Sequence, residues 1–274
     1  MRDTLTISIA GLAVVMEISQ LPDTKQAELA ARYCDFDGWS PPDAVHLGLR
    51  MRAGDPYVEW HNGQPLPLHT WRRRGRILVA SPTEWGWYDS ATQQASLVLR
   101  PAGDPENFLR VLFGWLALAQ GGLLLHACGV ICDGDGYVFV GPSGAGKSTV
   151  AGLSAGATVL SDDLVLVERR ADGYWVHGVP FRGSGWTAPR VNAAAPLRAL
   201  LSLVQAPEHK VASLPKAEGV ARLVGSTPFV TTTVDGARAA IGNAVALQAD
   251  TPVQELKFRK DRMFWDVIRA AAAP

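Results

Sequence analysis

Three cysteines in 274 residues are too few, and the wrong parity, for a disulfide scaffold. Cys34, Cys128 and Cys132 fit a reducing compartment, and the expected location is cytoplasmic. Cys128 and Cys132 lie four apart and close to His126, which raises zinc. No second ligand cluster accompanies them, and the stretch reads as strand-turn-strand, so no zinc site is expected there. A surplus of either charge is also missing. With 26 basic and 26 acidic residues, no global field favours nucleic acid or an anionic membrane. The one dense basic run is WRRRGR, residues 71–76. It could meet an anionic substrate or partner, but a single short run reads better as a solvated hairpin. Clean long apolar runs are lacking too. The most apolar stretch, residues 108–127, is broken by Arg110, Gln120 and Gly121-Gly122, so it reads as a buried helix and then a strand, not a membrane span. The opening MRDTLTISIAGLAVVMEI carries Asp3 and Glu17 and makes a poor signal peptide. No repeats or low-complexity segments are visible.

What remains is an ordinary globular composition, 47% hydrophobic and 19% charged. Residues 1–104 alternate short apolar, β-prone runs with turns. LTISIAG, AVHLGLRM, PYVEW, GRILVAS, WGWYDS and ASLVLRP read as strands, Asn62-Gly63 as a hairpin turn, and residues 21–36 as the one helix. A small β-rich N-terminal domain is expected, followed by a second domain over 105–274. Asp104 and Pro105 predict the N-cap and first position of a helix over 105–119, whose wide apolar surface implies burial. Two strands then surround the turn Asp133-Gly134-Asp135-Gly136. Later helices are expected at 196–206, at 215–225 and near 260–272.

The second strand, Tyr137–Val140, runs into GPSGAGKST, residues 141–149. The pattern G-x-x-x-x-G-K-[ST] between a strand and a helix start is that of a phosphate-binding loop. Its glycines let backbone amides turn inward as a nest, and the helix start adds its positive end. Gly141, Ser143, Gly144, Ala145, Gly146, Lys147, Ser148 and Thr149 would line a nucleotide's phosphates. Lys147 would reach the β- and γ-phosphates and the Ser148 hydroxyl would ligate Mg²⁺. Asp162 follows Lys147 by only fifteen residues, next to Asp163, where a strand breaks and resumes. One of these carboxylates could hold Mg²⁺ and the other could orient or deprotonate an attacking hydroxyl. A solvent-facing turn between two strands is the plain alternative.

Four stretches together resemble the HPr serine kinase/phosphorylase group, P-loop kinases related to phosphoenolpyruvate carboxykinase. They are His126 at the head of a strand fifteen residues before Gly141, the loop itself, LSDD at 160–163, and FRG at 181–183. The tail 251–268 resembles the ends of short bacterial proteins of this kind. The resemblance covers residues 120–190 best and does not reach the N-terminal third. It implies an α/β fold, α+β overall, with a mixed-sheet nucleotide domain behind the β-rich one. It implies ATP and Mg²⁺, with transfer of the γ-phosphate to a serine of a protein or peptide. Asp162 would be the general base, Asp163 and Ser148 the Mg²⁺ ligands, and Lys147 the stabiliser of the transferring group. His126 would sit beside the phosphates and Arg182 would neutralise charge in the transition state. Arg182 and Arg190 are both weaker candidates than His126, since an arginine on a loop is usually a surface residue. Two positions depart from the group's pattern: Thr149 stands where Glu is usual, and Pro180 where an acidic residue usually precedes the Arg-Gly. Phosphorolysis is therefore not implied. Short relatives that phosphorylate ribosomally made peptides, lasso peptides among them, make a peptide acceptor as fitting as an HPr-like protein. Members of the group form oligomers, so a homo-oligomer is compatible. A nucleotide-gated binding ATPase, or a small-molecule kinase, would use the same residues.

Overall fold

The computed structural model describes residues 3–53, 68–101, 103–182 and 190–272. It is a mixed α/β chain with two mixed sheets and, among the described residues, six α-helices. Its contacts divide it into two compact units, Met1–Leu116 and Ala117–Pro274.

The first unit is a seven-stranded sheet. Strands β1 (Thr4–Ile9), β2 (Leu12–Glu17), β3 (Val45–Met51), β4 (His69–Arg73), β5 (Arg76–Ala80), β6 (Glu84–Asp89) and β7 (Gln94–Leu99) take the order β1-β2-β3-β7-β6-β5-β4. Only β2–β3 and β3–β7 run parallel. Strands β1, β3, β5, β6 and β7 alternate, so that in β1 Leu5, Ile7 and Ile9 are buried while Thr4, Thr6 and Ser8 face out. That is the signature of a sheet with one covered face. Helix α1 (Asp23–Tyr33) crosses from β2 to β3 and passes into a short 3₁₀ turn, Cys34–Phe36. The basic run folds as the β4–β5 hairpin, turned by Arg74 and Gly75 at φ 50° and 80°. Strands β2 and β4 were not anticipated: LAVVME merges with the run before it, and HTWRR has no apolar alternation. The expected strand PYVEW and the turn Asn62-Gly63 lie outside the described residues.

Helix α2 (Glu106–Ala119) starts one residue later than expected. The Asp104 carboxylate accepts the Glu106 N–H at 2.9 Å, and the Pro105 carbonyl takes the first helical bond, from Leu109. Phe108 of α2 stands against Gly86 of β6, where any Cβ would come within 2.7 Å of its ring. No helix among the described residues is long and apolar enough to cross a membrane.

In the second unit β8 (Leu123–Cys132) and β9 (Asp135–Val140) form a hairpin about Asp133 and Gly134, both at positive φ. The glycine loop and helix α3 (Lys147–Leu153) follow, then β10 (Thr158–Ser161), β11 (Leu164–Arg170) and β12 (Gly173–His177). Strand β13 (Ala194–Gln205), β14 (Lys210–Ser213), helices α4 (Lys216–Gly225) and α5 (Val234–Asp250), β15 (Val253–Phe258) and helix α6 (Phe264–Ala272) complete it. The order is β10-β8-β11-β12-β13-β15-β14, with β9 paired to both β8 and β13. The pairings β8–β11–β12–β13–β9–β8 therefore close a circuit, and β13 runs parallel both to β9 within it and to β15 outside it. The core beneath gathers Cys128, Phe139, Val150, Leu201 and Phe258 with Phe264 and Trp265 of α6.

One expectation is corrected here. Residues 196–206 are not a helix but most of β13. Leu197, Leu200, Leu201 and Val204 fit a helical period, yet Leu200 to Leu203 are all buried because the strand has partners on both edges. A strand covered on both faces reads as a continuous apolar run, which periodicity cannot tell from a buried helix. Helices at 216–225 and 264–272 do form. Helix α5 was unforeseen, because its buried face is made of small residues, Gly236, Ala240 and Ala244, ahead of Leu247. Its start is capped by Thr233, whose hydroxyl accepts the Gly236 N–H at 3.1 Å.

Candidate functional site

Strand β9 ends at Val140 with five successive buried residues and delivers the chain into the loop at its carboxyl end. Two loop residues need glycine. Gly144 sits at φ 79° and Gly146 at φ 115°, and a Cβ on Gly146 would lie 2.5 Å from the Phe258 ring. The Gly146 carbonyl accepts the first α3 bond, from Val150, at 2.9 Å. Ser143 is exposed at the loop's tip, while Ala145 and Thr149 are half-buried. The ammonium of Lys147 folds back along the loop, donating to the carbonyls of Gly141 at 2.8 Å and Pro142 at 3.3 Å. Burial pulls Lys147 below the ordinary lysine pKa, and the carboxylates of Asp163 and Asp162 oppose that.

The paired aspartates sit in a turn built by Ser161. Its hydroxyl accepts the backbone N–H of Asp163 at 3.1 Å and of Leu164 at 3.2 Å, which breaks β10 from β11 and leaves the Asp163 side chain 17% exposed with its Oδ2 buried. They find different partners. The Ser148 hydroxyl donates to Asp162 Oδ2 at 2.7 Å. His126 Nδ1 lies 3.1 Å from Asp163 Oδ1. His126 is placed by β8: Leu164 is its register partner, its N–H donates to the Ser226 carbonyl at 2.6 Å, and the next N–H, of Ala127, donates to the Asp163 carbonyl at 3.0 Å. The imidazole is 43% exposed, so it is no core histidine. Beneath lies Cys128, fully buried, its thiol pushed up by burial and by the nearby Asp162 charge. Its side chain belongs to the apolar core.

The structure thus brings His126, Lys147, Ser148, Asp162 and Asp163 into one cluster. Arg182 is half-buried after the buried Phe181, but Gly183 lies outside the described residues, so the Arg-Gly segment is seen only to Arg182. Arg190 Nε donates to the carbonyl of Pro180 at 2.5 Å, and Pro180 is buried and offers no carboxylate. Three contributors were invisible in the sequence. Gln205 Nε2 donates to the Gly144 carbonyl at 2.7 Å, Phe258 supports Gly146, and Ser226 holds the His126 backbone. All come from 60 or more positions away and carry no motif of their own.

Chemically, a hydroxyl and a carboxylate oxygen 2.7 Å apart, beside a loop with two left-handed glycines and a buried lysine, suit a hard divalent cation and an anion together. Among the described residues no three His, Cys, Asp or Glu side chains converge as a metal site. A comparison with curated proteins finds no match. The family described as SynChlorMet cassette protein ScmC matches residues 109–272, more than half of the chain and the whole of this cluster, and the chain belongs to that family.

Proposed function

We propose that the protein is a kinase that moves the γ-phosphoryl group of Mg²⁺·ATP to a serine hydroxyl of a protein or peptide. The observation that carries the reading is the division of labour between adjacent carboxylates. Asp162 faces the loop's Ser148, and Asp163 faces His126. A protein that only holds a nucleotide has no use for a second carboxylate backed by an imidazole.

The residues present fit the donor. Gly144 and Gly146 hold the backbone in the left-handed turns an amide nest requires. Ser148 and Asp162 would supply two oxygens to Mg²⁺, which keeps its other positions for phosphates and water. Bound there, the metal would neutralise charge on the triphosphate. Lys147 would leave the loop carbonyls for the transferring group. This assignment exchanges the two aspartates relative to the roles the resemblance implies, because it follows which oxygen each one engages. Asp163 accepts the serine proton as the new O–P bond forms and the β–γ bridging bond breaks, releasing ADP. His126 holds Asp163 in position and shares the proton. Arg182 retains the charge-neutralising role implied for it.

The test uses purified protein, γ-labelled ATP, Mg²⁺ and an array of serine-containing peptides. Label is expected on serine. Asp163→Asn should cut transfer by about 10²- to 10⁴-fold while leaving ATP affinity within about twofold. Asp162→Asn should instead weaken Mg²⁺-dependent ATP binding. Full transfer by Asp163→Asn, or nucleotide binding with no labelled peptide, overturns the assignment.

A further inference from the structure

The cluster above accounts for a triphosphate's reacting end and leaves its other end without a seat. The catalytic candidates come from β8 and the β10–β11 turn, on one flank of β9. On the other flank stand β13 and β15, parallel to β9, so their carboxyl ends and following loops emerge at the edge where the glycine loop lies. In α/β folds, ligands gather at the carboxyl ends of parallel strands, in open sheets and closed barrels alike.

Both strand ends touch the loop. Gln205, last residue of β13, donates to Gly144, and Phe258, last of β15, packs against Gly146. The loops that follow are fastened to each other. The Ala206 N–H donates to the Phe258 carbonyl at 2.9 Å, and His209 Nε2 lies 2.8 Å from Asp261 Oδ1, with His209 almost wholly buried. Asp261 also accepts the Met263 N–H at 3.0 Å and bonds Arg259. This pinned pair of loops presents Lys260 and Arg262, which are exposed and have no ion pair among the described residues, beside Met263, which is 56% exposed. An exposed, adaptable thioether and, one residue before it, an exposed planar guanidinium offer apolar contact, a stacking face and hydrogen-bond donors together.

We infer that the loops after β13 and β15 form the nucleoside subsite of the donor. The base lies against Met263 and the Arg262 guanidinium, and Lys260 and Arg262 donate to the base and ribose. The inference rests on the phosphate-loop reading.

Calorimetric titration of the full chain with Mg²⁺·ATP and with Mg²⁺·tripolyphosphate, at about 0.15 M salt to screen distant charge, separates the two. The wild type should prefer ATP by about tenfold or more. The double variant Lys260→Ala/Arg262→Ala should erase most of that preference while leaving tripolyphosphate affinity within about twofold, and Met263→Ser should do the same by a smaller factor. All three substitutions are at exposed positions and leave the core untouched. Equal loss of both ligands in the double variant, unchanged ATP affinity, or a wild type with no preference for ATP overturns the nucleoside subsite and leaves the phosphate loop standing. A wild type that binds neither ligand overturns the phosphate loop itself, and the subsite with it.

Discussion

The two sheets have similar strand numbers and different environments, and the difference shows where chemistry collects. In the first unit most strands alternate, so one face of the sheet is covered and the other is left partly open, with polar and apolar side chains mixed on it. One row across it reads Glu17, Gly48, Ser96, Trp87, Leu78 and Trp71, on neighbouring strands. Charges on this face pair in solvent, as when Arg76 meets Asp89 at 3.1 Å and lies over the Trp87 ring at 4.3 Å. In the second unit, Val138 to Val140 and Leu164 to Val167 are buried without a break. Such strands have no free face, so polar side chains cluster where strands end. The glycine loop, Ser161-Asp162-Asp163 and the loops after β13 and β15 are all strand ends.

Three measurements sharpen or break this contrast. The largest effect is expected from Phe139→Ala in β9. Its ring is fully buried, 5.8 Å from Trp265 and 6.4 Å from Phe264, and its loss should cost about 3–5 kcal/mol by urea denaturation. Val98→Ala, half-buried on the outer face of β7, should cost about 1 kcal/mol or less. Equal costs would show that the first sheet is covered on both faces.

Next comes Glu84, the exception in the first unit, a carboxyl buried beside Ser81 and Asn107 and pushed up to about 7 by burial. Between its unfolded value and about 7, the folded state holds the proton that the unfolded state has lost. Stability therefore falls as pH rises through that window and is level above it. Glu84→Gln should remove this slope and stabilise the protein at pH 8 by up to about 3 kcal/mol. Parallel stability–pH curves for variant and wild type would show that Glu84 is not strained. The smallest effect is expected from Arg76→Ala, half-exposed, with a cost of about 1 kcal/mol or less that shrinks further in high salt. A loss of several kcal/mol would mean that the pair is buried by something covering this face.

Legibility followed the same division. The alternating strands of the first unit declared themselves, while β2 escaped because LAVVME merges with the run before it and β4 because HTWRR has no apolar alternation. The loop and the Asp162-Asp163 pair were legible because glycines and adjacent acids between apolar runs are local signals. Residues 196–206 misled for the opposite reason: an apolar run in a strand buried on both faces has no period that marks it as a strand. Helix α5 hid because its contact face is alanine and glycine, which carry little hydrophobic contrast.

Local sequence was enough for a glycine loop that follows a strand and opens a helix, with two adjacent carboxylates soon after it, and the resemblance added a histidine beside it. These depend on backbone freedom and on residues fifteen positions apart. Only the tertiary structure decided which aspartate meets Ser148 and which meets His126, because that depends on how β8 and β11 pair. Only it brought Gln205 and Phe258 to the loop, since parallel pairing joins segments that no local pattern connects.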